Sequence, residues 1–149
     1  IRSAADIGWV RSLTVGKLMR RDPRTIPADA TVAEFRRRYP LGSTHMVVVL
    51  DQDERYAGLA ATAELFTADL DDKADVKVGG LVHALDIALL PDWNIKEALA
   101  TFDRAETETL AVIESEDTGK VIGLLTERFA TRRYAEELDK ANRGVTGEE

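Results

Sequence analysis

The side chains best suited to chemistry are few and scattered. His45 and His83 are the two histidines, and there is no cysteine. Neither histidine has a His-x-x-x-His partner, so the ligand spacing of a metal centre is missing and none is expected. Without thiols, disulfides, thiolate nucleophiles and sulfur-ligated metals are excluded. Glycine-rich phosphate loops and a Gly-x-Ser-x-Gly nucleophile elbow are absent as well. Carboxylate pairs such as Asp71/Asp72 lie in an acidic connector, where exposure denies them the shifted pKa that acid–base work requires. With no catalytic constellation, the chain is expected not to be an enzyme.

The cationic clusters have two readings. Arg20, Arg21 and Arg24 surround Pro23, and Arg36-Arg37-Arg38 fall late in an expected helix. Cations near a helix C-terminus are favoured by the dipole, which makes a solvated face the simpler role. A docking surface for an acidic partner or for phosphate is the sharper one. Farther on, Arg132/Glu136 and Arg133/Glu137 have the i, i+4 spacing that supports a helix by about 0.2–0.5 kcal/mol per pair.

The elements that would hold these residues are repeated. A shift of 63 positions lays Val15-Gly16-x-Leu18 on Val78-Gly79-x-Leu81, Asp29 on Asp92, Glu34 on Glu97 and Val49-Leu50 on Val112-Ile113. Past a turn two residues longer in the second copy, Gly58-Leu59 meets Gly123-Leu124. Each copy opens on a short apolar segment, Thr25-Ile26 or Leu89-Leu90. A capping-box pattern follows, Thr31-x-x-Glu34 or Asn94-x-x-Glu97. Behind it Val32, Phe35 and Tyr39, then Ile95, Leu99 and Phe102, make one apolar helix face. The runs Met46–Leu50 and Leu110–Ile113 lack polar alternation, as strands covered on both faces do. They are expected to pair as hairpins with Tyr56–Ala60 and Val121–Leu125, each closed by a helix, from about Thr62 to Asp69 and from about Thr126 to Asn142.

The order is therefore β-α-β-β-α, twice. At about 50 residues neither copy buries enough core alone, so the two are expected to pack face to face. The division reads 1–13 as a leading helix carrying Ile7, Val10 and Leu13, 14–66 as repeat one and 67–77 as an exposed acidic linker. Residues 78–131 form repeat two, and 132–149 a helical extension ending in a frayed tail.

At 44% hydrophobic and 32% charged, the chain has enough apolar residues for a core. A formal charge of -7 argues against nucleic acid as a partner. The longest wholly apolar run is Met46–Leu50, far short of the ~20 residues that span a bilayer. A soluble intracellular domain is expected, and the start at Ile1 suggests a piece of something larger.

The repeated β-α-β-β-α unit, with its Val-Gly-x-Leu openings and Gly-Leu runs after the hairpin turn, resembles a CBS-domain pair over residues 14–131. That resemblance implies an α/β (α+β) fold of tandem repeats about a pseudo-two-fold axis. The segment Arg128-x-x-x-Arg132-Arg133-Tyr134-Ala135-Glu136-Glu137-Leu138 resembles the C-terminal end of bacterial CLC-type chloride channels and transporters. The implied protein is a cytoplasmic domain of an inner or plasma membrane protein, covalently linked to a transmembrane domain and homodimeric. Its regulatory ligand would be ATP, ADP or AMP, with no other cofactor and no metal.

In CBS pairs the cleft uses a hydroxyl three positions before an acid, suited to phosphate and to ribose hydroxyls respectively. Both pairs are broken here. Copy one has Ala61 and Glu64, with Thr62 the nearest hydroxyl; copy two has Thr126 and Phe129. Losing one charge-assisted hydrogen bond costs about 1.5–3 kcal/mol. One reading makes Ala61 and Phe129 core filling and Thr126 a helix N-cap. The other lodges a nucleotide by Thr126 and the segments around Leu89 and Thr109, with Ile26, Met46, Leu90 and Leu110 as apolar walls. Tyr39, Phe66, Phe102 and Tyr134 are the candidate aromatic contacts of a dimer. Competing with a ligand-sensing role are a purely structural dimerisation module and an accessory segment of a cytosolic enzyme.

Overall fold

A computed structural model describes the backbone of residues 4–146 and the side-chain surroundings of residues 8–143. The order is α1 (Ala4–Ser12), α2 (Val15–Leu18), β1 (Thr25–Pro27), α3 (Val32–Arg38), β2 (Met46–Leu50) and β3 (Tyr56–Ala61). After 3-10 turns at Thr62–Phe66, Ala68–Leu70 and Val78–Leu81 come α4 (Ile95–Ala105), β4 (Thr109–Ile113), β5 (Val121–Thr126) and α5 (Glu127–Thr146). Strand β1 runs parallel to β2, and β2 pairs antiparallel with β3. Strands β4 and β5 form the second hairpin. The expected leading helix forms as α1, with Val10 on it and Leu13 just beyond it both buried; the Ile7 side chain lies outside those described.

Both capping boxes form. Thr31 and Asn94 each accept the backbone N–H three residues on, while Glu34 and Glu97 reach back to the cap N–H groups. The elements differ from those expected at three places. Leu89 makes a single parallel bridge to Val112 where copy one has a strand. Copy one anchors β1 through the Tyr39 hydroxyl, which donates to the Thr25 carbonyl at 2.6 Å, and Phe102 at the matching position lacks that donor. The helix expected over Thr62–Asp69 is instead two 3-10 turns. The Arg36 guanidinium draws the Leu65 and Thr67 carbonyls sideways, at 2.7 and 3.2 Å, and so takes acceptors from that stretch. Helix α5 starts after Thr126 and continues to Thr146, past the expected end at Asn142; residues 147–149 of the expected frayed tail lie outside the described residues.

The two copies exchange their leading segments. The Val15 and Gly16 N–H groups donate to the Trp93 and Pro91 carbonyls, and Val78 and Gly79 do the same to Ala30 and Ala28. The bridges Thr14–Asn94 and Arg20–Leu124 have counterparts in Thr31–Lys77 and Leu59–His83. One first-turn donor of each helix is also satisfied across the exchange: Ile95 N–H by the Leu13 carbonyl, Val32 N–H by that of Val76. The cores follow this crossing. Leu13, Val15, Leu18 and Met19 pack with Leu89, Ile95, Phe102 and Leu110 of the second copy. Val78, with Val76 and Val82 at its margin, packs with Ile26, Phe35 and Val47 of the first. The linker is thus only partly the exposed connector expected, since Val76 and Leu70 lie against that first core. Between the sheets a third cluster of Val48, Leu59 and Ala111 closes the seam.

This crossing explains the repeated hairpin glycine. A Cβ on Gly58, whose φ is +113°, would sit 2.6 Å from the Val82 Cβ; one on Gly123 would meet the Arg20 carbonyl at 2.8 Å. The exchanged strand passes where a side chain would stand. Gly58→Ala is expected to lose about 2–4 kcal/mol of unfolding free energy through overpacking and backbone strain. Gly80→Ala, with nothing within 4 Å, should stay within about 0.5 kcal/mol; urea midpoints compare the two.

The capping box gives a pH signature. Hydrogen bonds from the Thr31 backbone and hydroxyl hold the Glu34 carboxyl below its ordinary value. A depressed folded pKa stabilises the protein above the unfolded value, and that share is lost as pH falls through the folded one. The stability gap between wild type and Glu34→Ala should therefore narrow as urea midpoints are measured from pH 6 down through about pH 4 and below.

Candidate functional site

The broken hydroxyl/acid positions sit just beyond each hairpin. In copy one, Met46 pairs with Ala61 at the end of β3, and the next N–H, of Thr62, donates to the His45 carbonyl at 2.9 Å. Thr62 is 2% exposed and its Oγ1 has no hydrogen-bond partner. Two residues on, Glu64 stands in solvent with its Oε1 2.5 Å from the Nε2 of His83. His83 belongs to the segment that leads the second copy, tied to Leu59 by N–H···O bonds in both directions, so this side-chain contact joins the two copies.

Copy two has the same frame and different chemistry. Thr109 pairs with Thr126, and the Glu127 N–H donates to the Glu108 carbonyl. The Thr126 Oγ1 accepts the Phe129 N–H at 3.2 Å, which is the N-cap role of the simpler reading. Phe129 is half-buried with the Arg132 guanidinium 5.3 Å above its ring. Arg132 was expected to pair with Glu136; the pairing falls to Arg133, which reaches Glu136 and Glu137 at 3.2 and 3.1 Å. These bonds hold the Arg133 pKa above and the Glu137 pKa below its ordinary value.

Of the expected apolar walls, Ile26, Leu89 and Leu110 are at most 1% exposed and belong to the dry cores. Met46 and Leu90 are the two that keep some solvent contact. The aromatic residues expected at a dimer contact are all engaged within the chain. Phe102 is 1% exposed, Tyr39 lies tilted against Phe35 with ring centroids 5.5 Å apart, Phe66 lies under Arg36, and Tyr134 packs 5.6 Å from Trp9. Sequence reasoning left His83 without a partner; applying the repeat shift to the leading segments, and seeing that they cross, would have brought it to Glu64. It also missed Arg55, which donates to the Asp117 and Glu116 carbonyls and ties one hairpin turn to the other. Among the described residues no group of three or more His, Cys, Asp or Glu side chains is placed to hold a metal ion. None of the described helices is long and apolar enough to cross a membrane.

A family model described as the CBS domain matches twice, over residues 15–71 and 82–128. The chain belongs to the CBS domain family. A search of curated proteins finds no match. Among solved structures, this CBS pair is similar to the CBS domain of a bacterial CNNM/CorC family Mg2+ transporter solved with ATP. The two are 17% identical with a TM-score of 0.69, over 85% of this chain and 90% of that one. It is similar also to CBSX2 solved with AMP, at 19% identity and TM-score 0.67, covering 83% and 97%. A CBS domain pair/ACT domain protein from Thermotoga maritima is 25% identical with TM-score 0.66, covering 85% and 99%.

The two hydroxyls of this CBS pair should respond oppositely to removal. Thr126→Val deletes the cap of α5 and is expected to cost about 1 kcal/mol. Thr62→Val replaces an unpaired buried hydroxyl with a methyl and should be neutral or stabilising by up to about 1 kcal/mol, read from thermal unfolding.

Proposed function

We propose that this CBS pair is a non-catalytic regulatory and dimerising module, the cytoplasmic tail of a CLC-type chloride channel or transporter, which responds to an adenine nucleotide between its repeats. The observation that carries the nucleotide reading is Glu64. Of the two acid positions in the family pattern it alone keeps a carboxylate, and it meets His83 of the other repeat in solvent. A ribose would offer its hydroxyls to Glu64, and the released imidazole would face the phosphate end. Such a ligand would bridge the repeats and favour one relative geometry, which is the only way a bound molecule shifts an equilibrium.

The relatives solved with ATP and AMP support the ligand class, and the Mg2+ transporter relative supports attachment to a transport domain. The arginine-rich start of α5 supports the chloride-transport assignment by resemblance. A second reading, a structural dimerisation module without ligand, is favoured by the second cleft. There Phe129 replaces the acid and Thr126 is engaged as a cap.

Titration calorimetry with ATP, ADP and AMP decides between them. Binding is expected for at least one nucleotide, weakened about tenfold to a hundredfold in Glu64→Ala and unchanged in Thr126→Val. Flat titrations with all three at millimolar concentration would overturn the nucleotide reading and leave the structural one.

A further inference from the structure

Among the described residues, four that are not glycine hold a positive φ: Asp22, Glu54, Ala84 and Glu106. Three have an ordinary reason. Glu54 closes the β2–β3 turn, Glu106 caps the C-terminus of α4, and aspartate tolerates the left-handed region that Asp22 adopts. Ala84, at φ +54°, only opens a loose turn, its carbonyl 3.4 Å from the Ile87 N–H, and the first residue of a turn needs no such φ. The residues that follow gain nothing from the kink either, since Leu85 is 54% exposed and Asp86 is exposed. A strained residue of this kind persists only where its surroundings hold it. The Ala84 side chain lies at the margin of both the second core and the seam between the sheets.

One side chain reaches the kink. The hydroxyl of Tyr56, the first residue of β3, donates to the Ala84 carbonyl at 2.5 Å. Burial pushes that phenol above its ordinary value, so it stays protonated and remains a donor. His83, the residue before the kink, is tied to Leu59 by its backbone and meets Glu64 through its ring. The leading segment of the first repeat lacks this arrangement. Arg20 bridges Leu124 as His83 bridges Leu59, but the next residue, Arg21, is not left-handed, and φ turns positive one residue later at Asp22. By strand register Val121 faces Ile113 as Tyr56 faces Leu50, and valine has no hydroxyl. The strut is therefore confined to the cleft that keeps its carboxylate.

Resting on the nucleotide reading above, we propose that Tyr56 is a positioning residue for the Glu64 cleft: its hydroxyl holds the backbone at Ala84 left-handed and so keeps the His83 imidazole where a nucleotide bound at Glu64 meets it. Tyr56→Phe, Ala84→Gly and the two combined test it, by NMR on the free protein and by calorimetry with ATP, ADP and AMP. Tyr56→Phe keeps the ring, and thermal unfolding checks that it folds. The variant is expected to lose the left-handed signature in the HN–Hα coupling and Cα shift of Ala84. Glu64→Gln should move the His83 ring resonances in the wild type and leave them in place in Tyr56→Phe. Nucleotide binding should weaken about threefold to tenfold. Ala84→Gly in that background is expected to restore it, because glycine adopts a positive φ without steric cost; a hydroxyl that served packing alone would gain nothing from that change. An Ala84 that stays left-handed in Tyr56→Phe, an unchanged affinity, or a loss that Ala84→Gly leaves in place would overturn the positioning role. If the wild type binds none of the three nucleotides, the nucleotide reading falls. The NMR signals of free Tyr56→Phe then decide by themselves whether the hydroxyl holds Ala84 and His83.

Discussion

The exchange of leading segments is the contact on which the remaining structure depends. Residues 13–20 add apolar side chains to the second core, and residues 76–83 add theirs to the first. A repeat of this size exposes too much surface to fold alone. Here neither core is completed by residues of its own copy. Folding of the two copies is thereby coupled, because losing either segment opens one core and leaves first-turn helix donors unpaired. The hairpin glycines belong to the same constraint. At Gly58 and Gly123 the crossing segment lies too close for any Cβ, so the feature that most visibly punctuates the repeat is a packing requirement.

The exchange also sets the chemistry of the clefts. Because each leading segment runs along the other copy's hairpin, His83 bridges Leu59 and Arg20 bridges Leu124. In one cleft that brings His83 to Glu64; in the other Phe129 replaces the acid and lies under Arg132. A frame with near two-fold symmetry thus carries two unlike sites. The asymmetry comes from a few side chains, since the backbone bridges match in both halves. The outer faces are unlike too, with a basic helix end on one repeat and an acidic one on the other.

Much of the fold was legible in the sequence because its signals are local. Capping boxes at Thr31 and Asn94, apolar helix faces behind them and unbroken runs such as Met46–Leu50 depend on neighbours within a few residues. The repeat shift added the pairing of the two copies. The same locality explains the misses. The stretch after Thr62 has helical spacing, yet Arg36, distant in sequence, takes its carbonyls. Apolar residues at strand positions could line a groove or fill a core, and only packing separates Met46 from Leu110.

By itself, then, the sequence determined the element order, the duplication and the loss of one hydroxyl/acid member in each copy. Those depend on residue type and spacing along the chain. Tertiary structure alone decided that the leading segments cross over, that His83 meets Glu64, and that the four aromatic residues expected at a partner surface are engaged within the chain. Such contacts join positions far apart in the chain, and whether they form depends on which surfaces the whole fold brings together and removes from water.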